Sequence, residues 1–110
     1  MKMIRAIIRP ETVEAVADGL AVDFPPLTKM HVFGRGKGGG LKVGDVVYDE
    51  LPKTMLMIVV EDGALDKVIE VIMEKGRTGR VGDGKIFVTN VEEAYTVRTG
   101  KKGLKAESEK

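Results

Sequence analysis

The 110-residue chain has no cysteine and no tryptophan, one histidine and only 5% aromatic residues. Without cysteine, disulfide staples, thiolate metal sites and cysteine nucleophiles are excluded. The lone histidine, His31, has no nucleophile spaced as its partner, so a catalytic dyad lacks support and a packed strand residue is the simpler reading. Neither sign of charge predominates: 18 basic residues stand against 17 acidic ones, a net charge of +1. A nucleic-acid binder relying on bulk charge is not built this way. No apolar run approaches the roughly 20 residues that span a bilayer. The opening "MKMIRAIIRPE" is too short in its apolar part and too charged for a secretory signal. A soluble, cytoplasmic protein with no membrane insertion is expected.

What is present suits one domain, expected over residues 1–104, with a frayed polar tail at 105–110. "KMIRAIIR" (2–9) is isoleucine-rich and halted by Pro10, which reads as a strand. Val13, Val16, Ala17 and Leu20 then recur as one face of an amphipathic helix, stopped by "DFPP" (23–26). "LTKMHVF" (27–33) reads as a second strand. Between Gly34 and Gly44, six of eleven residues are glycine and three are basic. This is expected to be a long mobile loop, running to about Pro52. "KTMLMIVVE" (53–61) is nearly continuously apolar, as in a strand covered on both faces. A second helix follows, with Asp62 as its cap, Leu65, Val68, Ile69 and Ile72 as its stripe and Gly76 as its stop. "KIFVTNV" (85–91) gives a fourth strand and "AYTVRTG" (94–100) a short extended piece.

The order β-α-β-loop-β-α-β is the ferredoxin-like arrangement, an α+β fold with both helices on one sheet face. The opposite face is also apolar, and a small domain with such a face uncovered is expected to oligomerise. An RNA-recognition domain shares this order, but it stacks bases on strand aromatics, and Phe87 alone stands near the right place. The acidic pair Glu92–Glu93 reads as a solvated turn, and no metal site is expected from side chains.

Two glycine motifs compete for attention. "GRGKGG" (34–39) satisfies the dinucleotide fingerprint, yet no helical periodicity opens at its last glycine, as that fingerprint requires. "TGRVGDGK" (78–85) fulfils most of the phosphate-loop pattern, with Ile86 where the final hydroxyl should be. It also lies after a helix and before a strand, the reverse of the usual order. Closely spaced glycines with Arg77, Arg80 and Lys85 could still converge amides and charge on an anion. An ordinary solvated turn fits the same spacing equally well.

"TGRVGDGKIFV", the "LPK" at 51–53 and "VRTG" at 97–100 resemble the PII nitrogen-signalling family, and the resemblance runs from "MKMIRAII" through "RTG". It implies a trimer of ferredoxin-like subunits that binds ATP or ADP between neighbours and senses 2-oxoglutarate. The resemblance places Gly82, Asp83, Gly84 and Lys85 on the nucleotide phosphates, with Arg98 reaching over from the adjacent subunit. Thr28 and Val59 would line the adenine pocket, with Ile7 close by and Gly34 and Arg35 at the base of the long loop. Lys53 would pair with a 2-oxoglutarate carboxylate, beside Gly36 and Gly82. Mg²⁺ would arrive with ATP.

Four departures from the family pattern are informative. Gly36 replaces a glutamine that helps hold metal and 2-oxoglutarate, Met57 replaces an acidic residue near the base, and Thr96 replaces a first arginine. The modifiable tyrosine aligns near Val46, with Tyr48 offset, which argues against uridylylation. "FGRGK" and "EEAYTVRTG" are similar to the subtype associated with nitrogen fixation, which acts with a second paralogue to inhibit dinitrogenase. The assembly implied is a homotrimer, or a mixed trimer or hexamer with that paralogue. Regulation of an ammonium transporter is the alternative. Ligand-biased shapes of the 34–50 loop would decide whether the partner is bound. A regulator, not an enzyme, is therefore expected.

Overall fold

A computed structural model describes residues 1–21, 23, 27–35, 41–43, 46–48 and 50–104. Strand β1, Lys2–Ile8, alternates buried Ile4, Ala6 and Ile8 with half-buried Met3, Arg5 and Ile7. Pro10 then opens a 3-10 turn, Pro10–Thr12, where its missing N–H costs nothing. Thr12 pins the turn by donating its N–H and its hydroxyl to the Arg9 carbonyl, at 3.0 and 2.9 Å. Helix α1, Val13–Ala21, buries Val13, Val16 and Leu20 as its periodicity requires, and Ala17 is half-buried. Phe24, Pro25 and Pro26, the expected stop, lie outside the described residues.

Strand β2 is Thr28–Gly34. The expected uninterrupted loop from Gly34 to Pro52 needs correction, because strands β3, Leu41–Val43, and β4, Val46–Tyr48, pair antiparallel within it. Gly44 and Asp45, between them in sequence, are types that hairpin connections favour. Strand β5 also starts earlier than expected, at Leu51, and ends at Val60. It tolerates Pro52 because β1 pairs with β5 only from Thr54 onward. At Pro52 the strand has β2 alone as neighbour, so one side needs no donor.

Asp62 does not cap through its side chain. A 3-10 turn, Asp62–Ala64, leads into helix α2, Leu65–Gly76, and the Asp62 carboxylate pairs with the Met1 ammonium at 3.0 Å. That hydrogen-bonded ammonium lowers the Asp62 pKa. The helix buries Val68 and Ile72, while Leu65 and Ile69 are only partly covered. Gly76 is the last helical residue, as expected of the stop; it is buried at ordinary contact distance from the Ile8 and Val16 side chains and does not adopt a left-handed conformation.

Strand β6, Gly84–Asn90, completes an antiparallel sheet of order β2-β5-β1-β6. Both helices lie on the face carrying Ile4, Ala6, Ile8, Leu56, Ile58 and Val60, and with them form one core. This is the ferredoxin-like α+β fold. The open face carries half-buried Met3, Arg5, Ile7, Met55, Met57 and Val59, beside exposed Met30 and Phe87. The piece at 94–100 is not extended. It is a turn closed by a single bridge between Tyr95 and Lys102, with Gly100 N–H on the Thr96 carbonyl at 2.7 Å. Residues 105–110, the expected tail, lie outside the described residues.

The helices touch most closely at Gly19, where an added Cβ would lie 2.9 Å from Val71 Cγ1. Gly19→Ile should therefore overpack this contact and lower unfolding free energy by about 1–3 kcal/mol. Gly63→Ala, with nothing within 4 Å of the new methyl, should stay within about 0.5 kcal/mol of the parent. Denaturant midpoints at constant m-value check both.

Candidate functional site

Residues 77–83 join the end of α2 to β6, and one carboxylate organises them. Asp83 accepts the Thr78 and Gly79 backbone N–H groups at 2.8 and 2.9 Å, and also the Thr78 hydroxyl. Arg9, just past the end of β1, adds its Nε–H at 3.0 Å. The hydrogen bond from Thr78 and then that from Arg9 hold the Asp83 carboxyl well below the ordinary carboxylate range.

Two cations fix the other side of the turn. Arg9 donates its second guanidinium nitrogen to the Val81 carbonyl at 2.8 Å, and Lys53 donates its ammonium to the Gly82 carbonyl at 2.5 Å. Consecutive carbonyls are thus drawn toward the ends of two neighbouring strands. Glycine is required at two points. Gly82 has φ +103°, and a Cβ there would crowd the Arg9 guanidinium at 3.1 Å. At Gly84, with φ +116°, a Cβ would fall 1.8 Å from the Ile7 carbonyl oxygen. The β6 backbone can approach β1 that closely only without a side chain.

Most of the candidate nucleotide and effector residues gather at this end of the open face. Lys85 pairs in register with Ile7, and Lys53 with Val32, next to Gly34. Gly34 itself lies against Lys53, since a Cβ there would be 3.3 Å from Lys53 Cγ. Arg35 follows directly and is exposed. Lys85 is exposed and makes no protein hydrogen bond among the described residues. Gly36 lies outside the described residues.

Thr28 and Val59 are elsewhere. Thr28 pairs with Met57 and Val59 with Met3, four residues along β1 from Ile7 and so roughly 13 Å away. Arg98 belongs to the turn after β6, and β6 ends at the opposite edge, where Asn90 pairs with Lys2. Val97 beside it is fully exposed. One copy of the chain therefore divides the candidate residues between two ends of its sheet.

A hollow of about 210 Å³ also adjoins the turn, lined by Ile8, Ile72, Met73, Gly76 and Ile86 and by Arg77, Asp83, Gly84 and Lys85. Its apolar walls suit packing better than a chain of phosphates. Among the described residues no group of three or more His, Cys, Asp or Glu side chains could hold a metal ion, and no helix is long and apolar enough to cross a membrane. Arg9 and Thr78 were missed in the sequence: Arg9 lies far from the phosphate-loop motif, and Thr78 opens the quoted stretch without itself matching a position of the pattern. Only the pairing of Ile8 with Gly84 brings Arg9 beside Asp83.

A four-stranded antiparallel sheet with two helices on one face and a glycine turn between α2 and β6 defines a small ferredoxin-like α+β protein. The comparisons make that more particular: the family profile described as nitrogen regulatory protein P-II matches residues 1–101, and the chain belongs to that family. It is 61% identical over 105 residues to a nitrogen fixation nifHD2 region GlnB-like protein 1 of Methanosarcina barkeri, covering 94% of this chain and 100% of that one. A nifHD region GlnB-like protein 1 of Methanothermobacter marburgensis is 58% identical, with the same coverage. Nitrogen regulatory protein P-II 2 of Methanothermobacter thermautotrophicus is 44% identical over 111 residues, covering 96% of each chain. The resemblance to the nitrogen-fixation-associated subtype holds.

Two outcomes follow from the turn. Gly84→Ala should destabilise the fold by roughly 3 kcal/mol or more, since it meets both left-handed strain and a backbone oxygen; a shift in denaturant midpoint under 1 kcal/mol would refute the close approach. The lowered Asp83 pKa means its contribution to stability is complete above the unfolded value of about 4 and declines only as pH falls below that. Thr78 and Gly79 amide resonances should accordingly show no titration step between pH 6 and pH 4.

Proposed function

We propose that this P-II protein is a regulator of nitrogen fixation that binds ATP or ADP in clefts between the subunits of a trimer. The observation carrying this reading is the division of the candidate residues. The turn with Lys85 and Gly82 stands at one end of the open sheet face, whereas Thr28 lies in its middle row and Val59 and the turn carrying Arg98 toward the other end. A nucleotide held by both groups needs one end from each of two copies. The half-buried apolar face, with Met3, Ile7, Met55 and Met57, supplies the surface on which copies associate.

Within such a cleft, Lys85 and the glycine backbone of the turn hold the phosphates, and Arg98 of a neighbouring copy adds a cation. The donor set fits a polyphosphate, because the turn combines positive-φ glycines with a lysine that has no protein partner among the described residues. Mg²⁺ takes its oxygens from the phosphates and water, as that ion commonly does. Lys53 is the residue for 2-oxoglutarate. Its ammonium already gives one donor to Gly82, and an ammonium has three, so a carboxylate can still be accommodated. Gly36 supplies no side-chain amide, which leaves Lys53 and the backbone to do the holding.

Several close relatives carry names that place them in nitrogen-fixation regions, which supports dinitrogenase as the regulated partner. The residues around 34–50 relay the ligand state to it, with MgATP and 2-oxoglutarate favouring one arrangement and ADP another.

A mixing experiment tests the shared cleft. Lys85→Met and Arg98→Met should each weaken ATP binding by roughly tenfold to a hundredfold. After co-refolding the two variants together, a fraction of sites should regain parental affinity, since one copy brings the intact turn and its neighbour the intact arginine. Calorimetric titration showing no high-affinity fraction in the mixture, with both parents intact, would argue for a site inside one chain.

A further inference from the structure

Asp83 poses a contradiction. It occupies the middle of a turn proposed to hold phosphates, and a carboxylate there repels them. Its surroundings resolve the conflict. Every donor to this carboxylate among the described residues is the protein's own: two amides and one hydroxyl from Thr78 and Gly79, and the Arg9 guanidinium. The side chain is about three-quarters covered, at 25% exposure, and Arg9 at 18% is more so. Arg9 also reaches the Val81 carbonyl, so it ties two points of the turn, two residues apart, to the end of β1.

We infer that Arg9, Thr78 and Asp83 are positioning residues, which fold the 78–84 backbone into its ligand-ready shape without touching the ligand themselves. The inference rests on the reading that this turn receives nucleotide phosphates. Asp83 draws the amides of Thr78 and Gly79 inward and away from any ligand. That curvature leaves Gly82 and Gly84 in their positive-φ conformations, with Lys85 directly after them on the open face. Arg9 offsets the carboxylate's charge, so that an incoming anion meets a neutral pair instead of a bare negative group.

This role has a sign that simple charge counting does not share. If Asp83 acted only through its charge, Asp83→Ala would strengthen ATP binding by removing a repulsion. A positioning role requires the opposite. The test is calorimetric titration of the full chain with MgATP, comparing the parent with Asp83→Ala, Thr78→Val, Arg9→Met and Arg9→Lys. Amide exchange of the turn and of the sheet is followed in parallel.

Asp83→Ala and Arg9→Met should weaken binding by roughly tenfold to a hundredfold, the scale of one charge-assisted hydrogen bond. Thr78→Val, which changes no charge and keeps the side chain's shape, should weaken it in the same direction. Arg9→Lys should recover part of the loss, because the charge returns without the planar fork that serves two acceptors. Exchange should quicken at Thr78 and Gly79 while the amides of β1 and β5 stay protected. Binding by Asp83→Ala as tight as the parent's or tighter overturns the inference, as does unchanged turn exchange in Thr78→Val. A parent that binds no MgATP removes the phosphate reading and this inference together, whereas a binding parent with unaffected variants removes only the positioning role.

Discussion

The approach of β6 to β1 at Gly84 is the constraint on which the rest of the site depends. The Ile7 carbonyl lies where any side chain at Gly84 would have to begin, so this strand pair can close only at a glycine. Closing it sets Ile8 opposite Gly84 and Ile7 opposite Lys85. The register then carries Arg9 past the strand end to Asp83, and Asp83 in turn gathers Thr78 and Gly79. A glycine, a strand register and a carboxylate thus fix the turn in sequence, each step depending on the one before. Geometry built on sheet ends in this way is more definite than a connecting loop alone would provide.

This chain of dependence separates two jobs that glycine does in the same protein. Around 78–84, three of seven residues are glycine, all with positive φ, Gly82 and Gly84 are required by close contacts, and side-chain hydrogen bonds hold the backbone from three directions. Between Gly34 and Gly44 they are dense, at six of eleven residues, and the sequence contains few side chains able to hold the segment. The first arrangement suits a receptor that must be shaped before its ligand arrives. Lys53 and Gly34 stand where the two meet, in contact across the β2–β5 pair. Lys53 also holds the Gly82 carbonyl, so one side chain touches both the 77–83 turn and the end of β2.

Much of the fold was legible because each long element has its own unambiguous period. Val13, Val16 and Leu20 can share a face only on a helix, and "KTMLMIVV" fits only a strand with apolar neighbours on both sides. What escaped were features set by partners far away in sequence. The β3–β4 pair is three residues per strand, too short for periodicity to reveal. Asp62 carries every local sign of a cap, yet the Met1 ammonium, far away in sequence but at the same end of the sheet, captures it. At the site, the motif marked Gly82, Gly84 and Lys85 correctly as a cluster, because glycine spacing is local. Arg9 was invisible, since nothing within its own stretch distinguishes it from a solvated arginine at a strand end.

The departures from the family pattern gain a physical reading from the sheet. Arg5 pairs with Met57 on one side and Phe87 on the other, in the middle of the open face and between the apolar rows of Met3 and Ile7. A cation in that row is at odds with a face that copies are proposed to bury, unless its charge is met from across the contact. Met57, lying where an acidic side chain is common in relatives, cannot meet it from within the same chain. The long stem of Arg5 can still lie along the methionines and carry its charged head to the edge of the contact. Met57 removes the acidic group beside the proposed adenine position, and Thr96 removes a cation near Arg98. Under the proposed function, nucleotide binding then rests more heavily on the turn at 78–85, whose shape Gly84 and Asp83 determine. A site that relies on fewer side-chain charges needs a better-fixed backbone, and Asp83, Arg9 and Lys53 hold the backbone of this turn at four of its residues.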